Sequence, residues 1–347
     1  MAISRDELQL AARNHGMPLE ALRWDVTPVG LHYLLIHYDI PVVDPASWRL
    51  EVGGRVARPL SLSLEDLCSR PAVTRPVTME CAGNGRARLE PHVVSQPWVL
   101  EAVGNAEWTG VPVAALLEEA GLEDDAVEVL FTGLDRGVEG GEEQSYQRSL
   151  TLEEAADGPL LAFAINGELL PPQHGFPLRL IVPGWYGMTS VKWLSRIDVI
   201  AEPFGGYQQA TGYRIRAHED DEGTPVTRIM PRALMAPPGI PDFMTRARFL
   251  EAGPCEVTGR AWSGWGAIEG VEVSTDGGGT WAPASLGPEP SPGAWRAWSF
   301  GWDAEPGEHE LCCRARDATG NAQPVDADWN VGGYANTSVQ RVPVTVR

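Results

Sequence analysis

Residues 217–245 divide this chain into two parts that cannot share one architecture. HEDDEGTP (218–225) is acidic and polar, and MPRALMAPPGIPDFM (230–244) is broken by Pro231, Pro237, Pro238 and Pro241, which suits an extended connector. A chain of 347 residues also exceeds what one core ordinarily holds. The expected division is a first domain over 1–217, a linker over 218–245 and a second domain over 246–347.

The first part mixes short helices and strands, the mark of an α+β domain. Ser4 caps and Gly16 stops an N-terminal helix, SLSLEDL (61–67) carries the pair Ser63 and Asp66 of a capping box, and VPVAALLEEAG (111–121) runs from Pro112 to Gly121. AVEVLF (126–131), LLAFAI (160–165, ended by Asn166-Gly167), LRLIV (178–182) and VKWLSRIDVI (191–200) read as strands. Beyond residue 245 the pattern is all strands and turns, among them CEVTGRAW, IEGVEVS, WRAWSFGW, GEHELCCRAR and RVPVTV, which predicts an immunoglobulin-like β-sandwich.

Charge narrows the partners. With 47 acidic against 27 basic residues the net charge is −20, so nucleic acid and anionic membranes are repelled, and an anionic ligand needs a locally basic pocket. The apolar runs fall short of a membrane span, and the N-terminus shows neither a signal-peptide core nor twin arginines, so the expectation is a cytoplasmic protein. Five cysteines, Cys68, Cys81, Cys255, Cys312 and Cys313, form neither CxxC pairs nor a disulfide scaffold, and four of them read as small buried hydrophobes.

Cys81 stands apart. In VTMECAGNGRARLE (77–90) a strand runs into a turn whose glycines allow close backbone approach, and Arg86 and Arg88 favour a thiolate. Zinc would want further clustered ligands, which the sequence does not supply. Residue chemistry alone leaves Cys81 open between a metal- or substrate-facing thiolate and a buried inert cysteine.

CAGNGR resembles the cysteine motif of the sulfite oxidase family, and HGFPLRLIVPGWYGMTSVKWL (174–194) is similar to that family's His-Gly-Phe-Pro and Val-Lys-Trp-Leu signature. WSGWGAIEGVEVSTDGGGTW and ARDATGNAQPVDADWNVGGYAN resemble its C-terminal dimerisation domain, so the likeness extends over roughly residues 30–347 and implies a homodimer. It further implies a molybdenum held by one molybdopterin and by Cys81. His174, Arg179, Ser190 and Lys192, with the Val191 backbone between them, fall where the family binds the cofactor, and Asp135 matches a carboxylate facing the pterin. Arg86, Trp98, Arg296 and Tyr213 match the substrate pocket, with Tyr207 as the equivalent tyrosine if a gap falls within YQQATGYR.

Two segments depart from the family. His37, Tyr38 and Asp39 stand where it has Arg, Asn and His, which turns its main anion-binding arginine into a titratable histidine; Glu107 replaces another arginine and places a negative charge near the expected entrance. The resemblance implies oxidation of sulfite or a related sulfur oxyanion. Because the chain has no CxxCH haem motif, the electrons would go to an external acceptor such as a cytochrome. His37 and Glu107 keep open oxygen-atom transfer with a sulfoxide or nitrate, and a cofactor-free binding or assembly protein is the reading from another class.

Overall fold

The computed structural model describes residues 3–347, in two domains joined by a shared polar seam. Where the sequence predicts helices they form at the predicted caps. Arg5–Arg13 starts at the Ser4–Glu7 capping box, Leu64–Cys68 at the Ser63–Asp66 box, and Val113–Ala120 runs from Pro112 to Gly121. The first of these ends at Asn14, two residues short of Gly16. Among the described residues no helix is long and apolar enough to cross a membrane.

The first domain holds two five-stranded sheets. One runs in the order Leu60–Leu62, Leu50–Gly54, Leu194–Ile200, Glu128–Glu139, Glu142–Thr151. The other joins Val73–Glu80, Val103–Pro112, Leu160–Ile165 and Glu168–Leu169, with Arg179–Ile181 paired to Leu160–Ile165. Every residue of Leu160–Ile165 is buried, which explains its uninterrupted apolar sequence. Arg179–Ile181 runs opposite to Val73–Glu80 in this sheet, so the C-terminal end of Val73–Glu80 and the N-terminal end of Arg179–Ile181 lie at the same edge, and Cys81 and Arg179 line one cavity.

The second domain is a β-sandwich of a four-stranded and a six-stranded sheet, packed around Val257, Trp298, Leu311, Val342 and Val344. The expected linker is shorter than its prolines suggest. Arg232–Ala236 pairs antiparallel with Gly253–Trp262 as an edge strand of the four-stranded sheet, and Ile240–Pro241 pairs with Arg248–Leu250. Four of the five residues in Arg232–Ala236 are buried, so the strand lacks the alternation that would reveal it in sequence. Thr224–Pro225 likewise pairs with Arg214–Ile215. Of the four cysteines read as buried hydrophobes, Cys312 and Cys313 are buried, Cys255 is half-buried and Cys68 is exposed; all are free thiols.

The seam is centred on Glu80 and Arg232, both fully buried, with Nε and Oε1 2.7 Å apart. Trp262 Nε1 donates to Glu80 Oε2 at 2.8 Å, Asn84 Nδ2 donates to Glu80 Oε1 at 3.0 Å, and Arg232 also donates to the Asn336 carbonyl. Removing one partner of such a pair strands a buried charge, at a cost of roughly 3–5 kcal/mol. Arg232→Met is therefore expected to lower unfolding stability by about that amount in a denaturant titration; a loss under about 1 kcal/mol would show that the pair does not hold the domains.

Candidate active site around Cys81

Cys81 follows directly on the strand Val73–Glu80, and its N–H donates to the Ala102 carbonyl at 2.9 Å. The turn after it is set by Gly85, at φ +92°, a left-handed conformation that favours glycine. A side chain at Gly85 would also collide with the Asn336 carbonyl of the second domain. The thiol is buried; burial pushes its pKa up, and the Arg86 charge acts against that. Arg88, expected to assist, instead donates to the Val339 carbonyl at 3.2 Å.

Two adjoining cavities meet at Cys81, His37 and Tyr213, which line both. The inner one, about 50 Å³, is narrow and brings Asp135, His174, Arg179, Ser190 and Lys192 to one wall system. The segment 174–192 achieves this by folding back: the Leu180 N–H donates to the Val191 carbonyl at 2.8 Å, so the residues flanking this pair face the same space. Val191 itself is a spacer, its side chain in the core and its N–H given to the Thr189 carbonyl.

The charges in this inner cavity are unbalanced locally. Arg179 is buried, and its guanidinium contacts only the carbonyls of Ser190 (3.3 Å) and His174 (3.4 Å) and the Met79 sulfur, with the Trp108 ring 5.2 Å away. Lys192 Nζ donates to the carbonyls of Leu35 at 2.6 Å and Gln173 at 3.5 Å. Among the described residues neither cation has a carboxylate within ion-pair distance. Burial lowers both pKa values, that of Arg179 to about 10, with the Arg179 charge adding to the fall at Lys192. Asp135 Oδ1 is buried without a hydrogen-bond partner, and burial raises that carboxyl against the pull of Lys192. Two ring systems, His174 and the unforeseen His32, lie 5.6 Å apart, and burial drops their pKa values to about 2 and about 4. A buried and a half-buried cation without anions, beside a carboxylate oxygen without a donor, fit a ligand that is anionic at one end and carries N–H groups at the other.

The outer cavity, about 280 Å³, is lined by Arg86, Trp98 and Tyr213, as the sequence anticipates. Tyr207 lies away from it, against Gly140. Arg86 Nε donates to the Gly332 carbonyl at 2.8 Å and its guanidinium sits 5.0 Å from the Tyr334 ring, again without a carboxylate partner among the described residues. Tyr334 is thus the contribution of the second domain to this wall. Arg296, expected in that role, is held on its strand by the carbonyls of Gly287 and Ile268 at 2.9 Å each and opens into a separate cavity with Arg228 and Trp265.

The departures also resolve differently from expectation. Glu107 is exposed and lines neither cavity; strand alternation turns its neighbour Trp108 inward and Glu107 out. In the segment 34–41, Leu35 and His37 face both cavities and Tyr38 only the outer one, whereas Asp39 is exposed and accepts from the Ile40 N–H. The negative charge that does face the outer cavity is Glu139, from the tip of the hairpin formed by Glu128–Glu139 and Glu142–Thr151. Its Oε2 lies 3.0 Å from His37 Nε2 and accepts from Tyr38 Oη at 2.9 Å and Gln208 Nε2 at 2.6 Å. Burial pushes the Glu139 carboxyl up, but these bonds and the His37 interaction prevail and hold it below its usual range. The one sequence signal for this residue is the Gly140-Gly141 turn that follows it.

Comparison with known proteins finds relatives that span both domains. Residues 37–208 match the oxidoreductase molybdopterin binding domain family and residues 242–347 the Mo-co oxidoreductase dimerisation domain family. The chain is 36% identical over 341 residues to mitochondrial sulfite oxidase of Mus musculus, covering 92% of this chain and 62% of that protein. It is 37% identical over 337 residues to sulfite oxidase of Gallus gallus, covering 91% of this chain and 72% of that protein. The sulfane dehydrogenase SoxCD from Paracoccus pantotrophus superposes with a TM-score of 0.82 at 28% identity, over 96% of this chain and 86% of that one. With both domains matched in order and the thiol, cations and carboxylate assembled around one cavity, the chain belongs to the sulfite oxidase family of molybdopterin-dependent oxidoreductases.

Proposed function

We propose that the chain holds a molybdenum-molybdopterin cofactor with a single pterin and catalyses oxygen-atom transfer, oxidising sulfite or a related sulfur oxyanion and passing two electrons to an external acceptor such as a cytochrome. The observation that carries this is the meeting of the two cavities at Cys81: the inner one is lined for a phosphate-bearing pterin, and the outer one carries Arg86 toward an anion. The working form is a homodimer through the second domain, in keeping with the family match there.

The residue roles follow from placement. Cys81 would ligate the metal as thiolate; metal binding would displace the proton that burial favours. Arg179 and Lys192 would face the cofactor phosphate, joined by His174 and Ser190, and the free Asp135 Oδ1 would accept from the pterin. When bound, the group supplies the transferable oxygen and accepts the electron pair. Arg86 attracts the substrate anion, Trp98 and Tyr213 wall it in and limit water, and the hydrogen-bonded His37–Glu139 pair forms another part of the same wall. Glu139 also tempers the positive potential there, which favours a less charged sulfur compound such as a sulfoxide.

Protein purified from a host that makes molybdopterin should contain molybdenum near one per chain and oxidise sulfite; absence of the metal would refute the cofactor reading. Cys81→Ser should keep its fold by circular dichroism and lose turnover by more than roughly a hundredfold, as expected for a residue placed at the reacting centre. Full activity in that variant would refute the ligand assignment.

The buried histidines give a pH prediction for cofactor-free protein. The folded pKa of His32, about 4, lies below the ordinary value of 6.5, so the unfolded chain takes up the proton first. Stability should be complete above about pH 6.5 and fall toward pH 4, by roughly 3 kcal/mol from His32 alone. Denaturant titrations of wild type and His32→Gln should show a shallower pH slope in the variant; equal slopes would mean that His32 does not titrate across this window.

A further inference from the structure

The outer cavity is poorly suited to the smallest and most charged substrate of this class. It is larger than an ion of one sulfur and three oxygens, at about 280 Å³. Much of its wall is apolar, with Leu10, Leu35, Ile36, Val138 and the Trp98 ring turned to it. Its electrostatics are those of a single free cation. Arg86 has no carboxylate partner among the described residues, while His37, on another part of the wall, is bonded to Glu139. The other ionisable groups on this wall, Tyr38, Tyr213, Tyr334 and the Cys81 thiol, add no positive charge.

Glu139 is held in place from several sides. Three donors converge on its Oε2, from His37, Tyr38 and Gln208, and Tyr38 in turn packs where a side chain at Gly137 would be. Its Oε1 has no partner among the described residues. A doubly charged oxyanion drawn to Arg86 therefore meets a fixed carboxylate in the same cavity, whereas a singly charged one can present its charge to Arg86 and an uncharged group to the rest.

From this we infer that the preferred substrate is an organic sulfinate, R–SO2⁻, and that Glu139 is the residue that selects it over sulfite. The inference rests on the oxygen-atom-transfer reading above. The sulfur of a sulfinate keeps the lone pair of sulfite, with a carbon substituent in place of one oxygen, and R lies against the apolar wall. The sulfur lone pair forms a new S–O bond with an oxygen that derives from water, so that R–SO2⁻ + H2O gives R–SO3⁻ + 2H⁺ + 2e⁻. The S–C bond is untouched and the electrons leave to the external acceptor.

The test compares benzenesulfinate with sulfite as substrates of the molybdenum-loaded protein, with ferricyanide as oxidant and the sulfonate product identified by mass spectrometry. Wild type should show a kcat/KM at least about tenfold higher for benzenesulfinate, and Glu139→Gln should lower KM for sulfite by about tenfold with little change in kcat or in the KM for benzenesulfinate. Calorimetry with the inert products gives an activity-independent reading: wild type should bind benzenesulfonate in preference to sulfate, and the variant should gain sulfate affinity. Oxidation of sulfite in preference to benzenesulfinate by wild type would overturn the inference and leave oxygen-atom transfer standing. Failure to oxidise either compound would overturn both. A variant in which both substrates change by the same factor would remove Glu139 as the selector.

Discussion

The buried ion pair of Glu80 and Arg232 is the constraint on which the rest of the site depends. Glu80 is the last residue of its strand and is bonded through the main chain to Cys81, while Arg232 opens a strand of the sandwich. A charge pair with no solvent contact tolerates little displacement, because each group would be parted from its opposite charge in a place water does not reach. Around it the backbone contacts run in the same direction: the Ala335 N–H donates to the Ala82 carbonyl at 2.8 Å, and Asn336 Nδ2 donates to the Gly85 carbonyl at 2.8 Å. The thiol is thus fixed by both domains, and the second domain supplies Tyr334 to the cavity.

The inner cavity shows the opposite condition, with charges left uncompensated. Arg179 and Asp135 are buried and Lys192 is half-buried, and the two cations have only neutral acceptors. Such an arrangement is costly by itself and becomes favourable when an anion with matching donors arrives. Placing Asp135 next to Lys192 beyond ion-pair distance keeps both available to a ligand. Direct pairing would have stabilised the empty protein and weakened its hold on the cofactor.

Much of this was legible in the sequence where the site is local. His174, Arg179, Ser190 and Lys192 lie on one folded-back segment, and Cys81 with Arg86 on one turn, so short motifs carry them. Tyr334, Gln208, His32 and Glu139 come from four distant places, and nothing local marks them as neighbours. Arg296 illustrates the reverse failure: its strand was readable, but the direction of its side chain depends on the pairing of that strand in the sheet. The strand Arg232–Ala236 was hidden by flanking prolines and by burial on both faces. Glu107 lies outside both cavities because its strand turns it to solvent, a direction that its place in the motif does not reveal.

The central claim is that Cys81 sulfur is bound to the metal. X-ray absorption at the molybdenum edge tests it most directly, by comparing wild type with Cys81→Ser prepared in the same host. The account predicts one fewer sulfur neighbour at molybdenum in the variant, with the remaining sulfur shell unchanged. An identical sulfur shell in both proteins would contradict it.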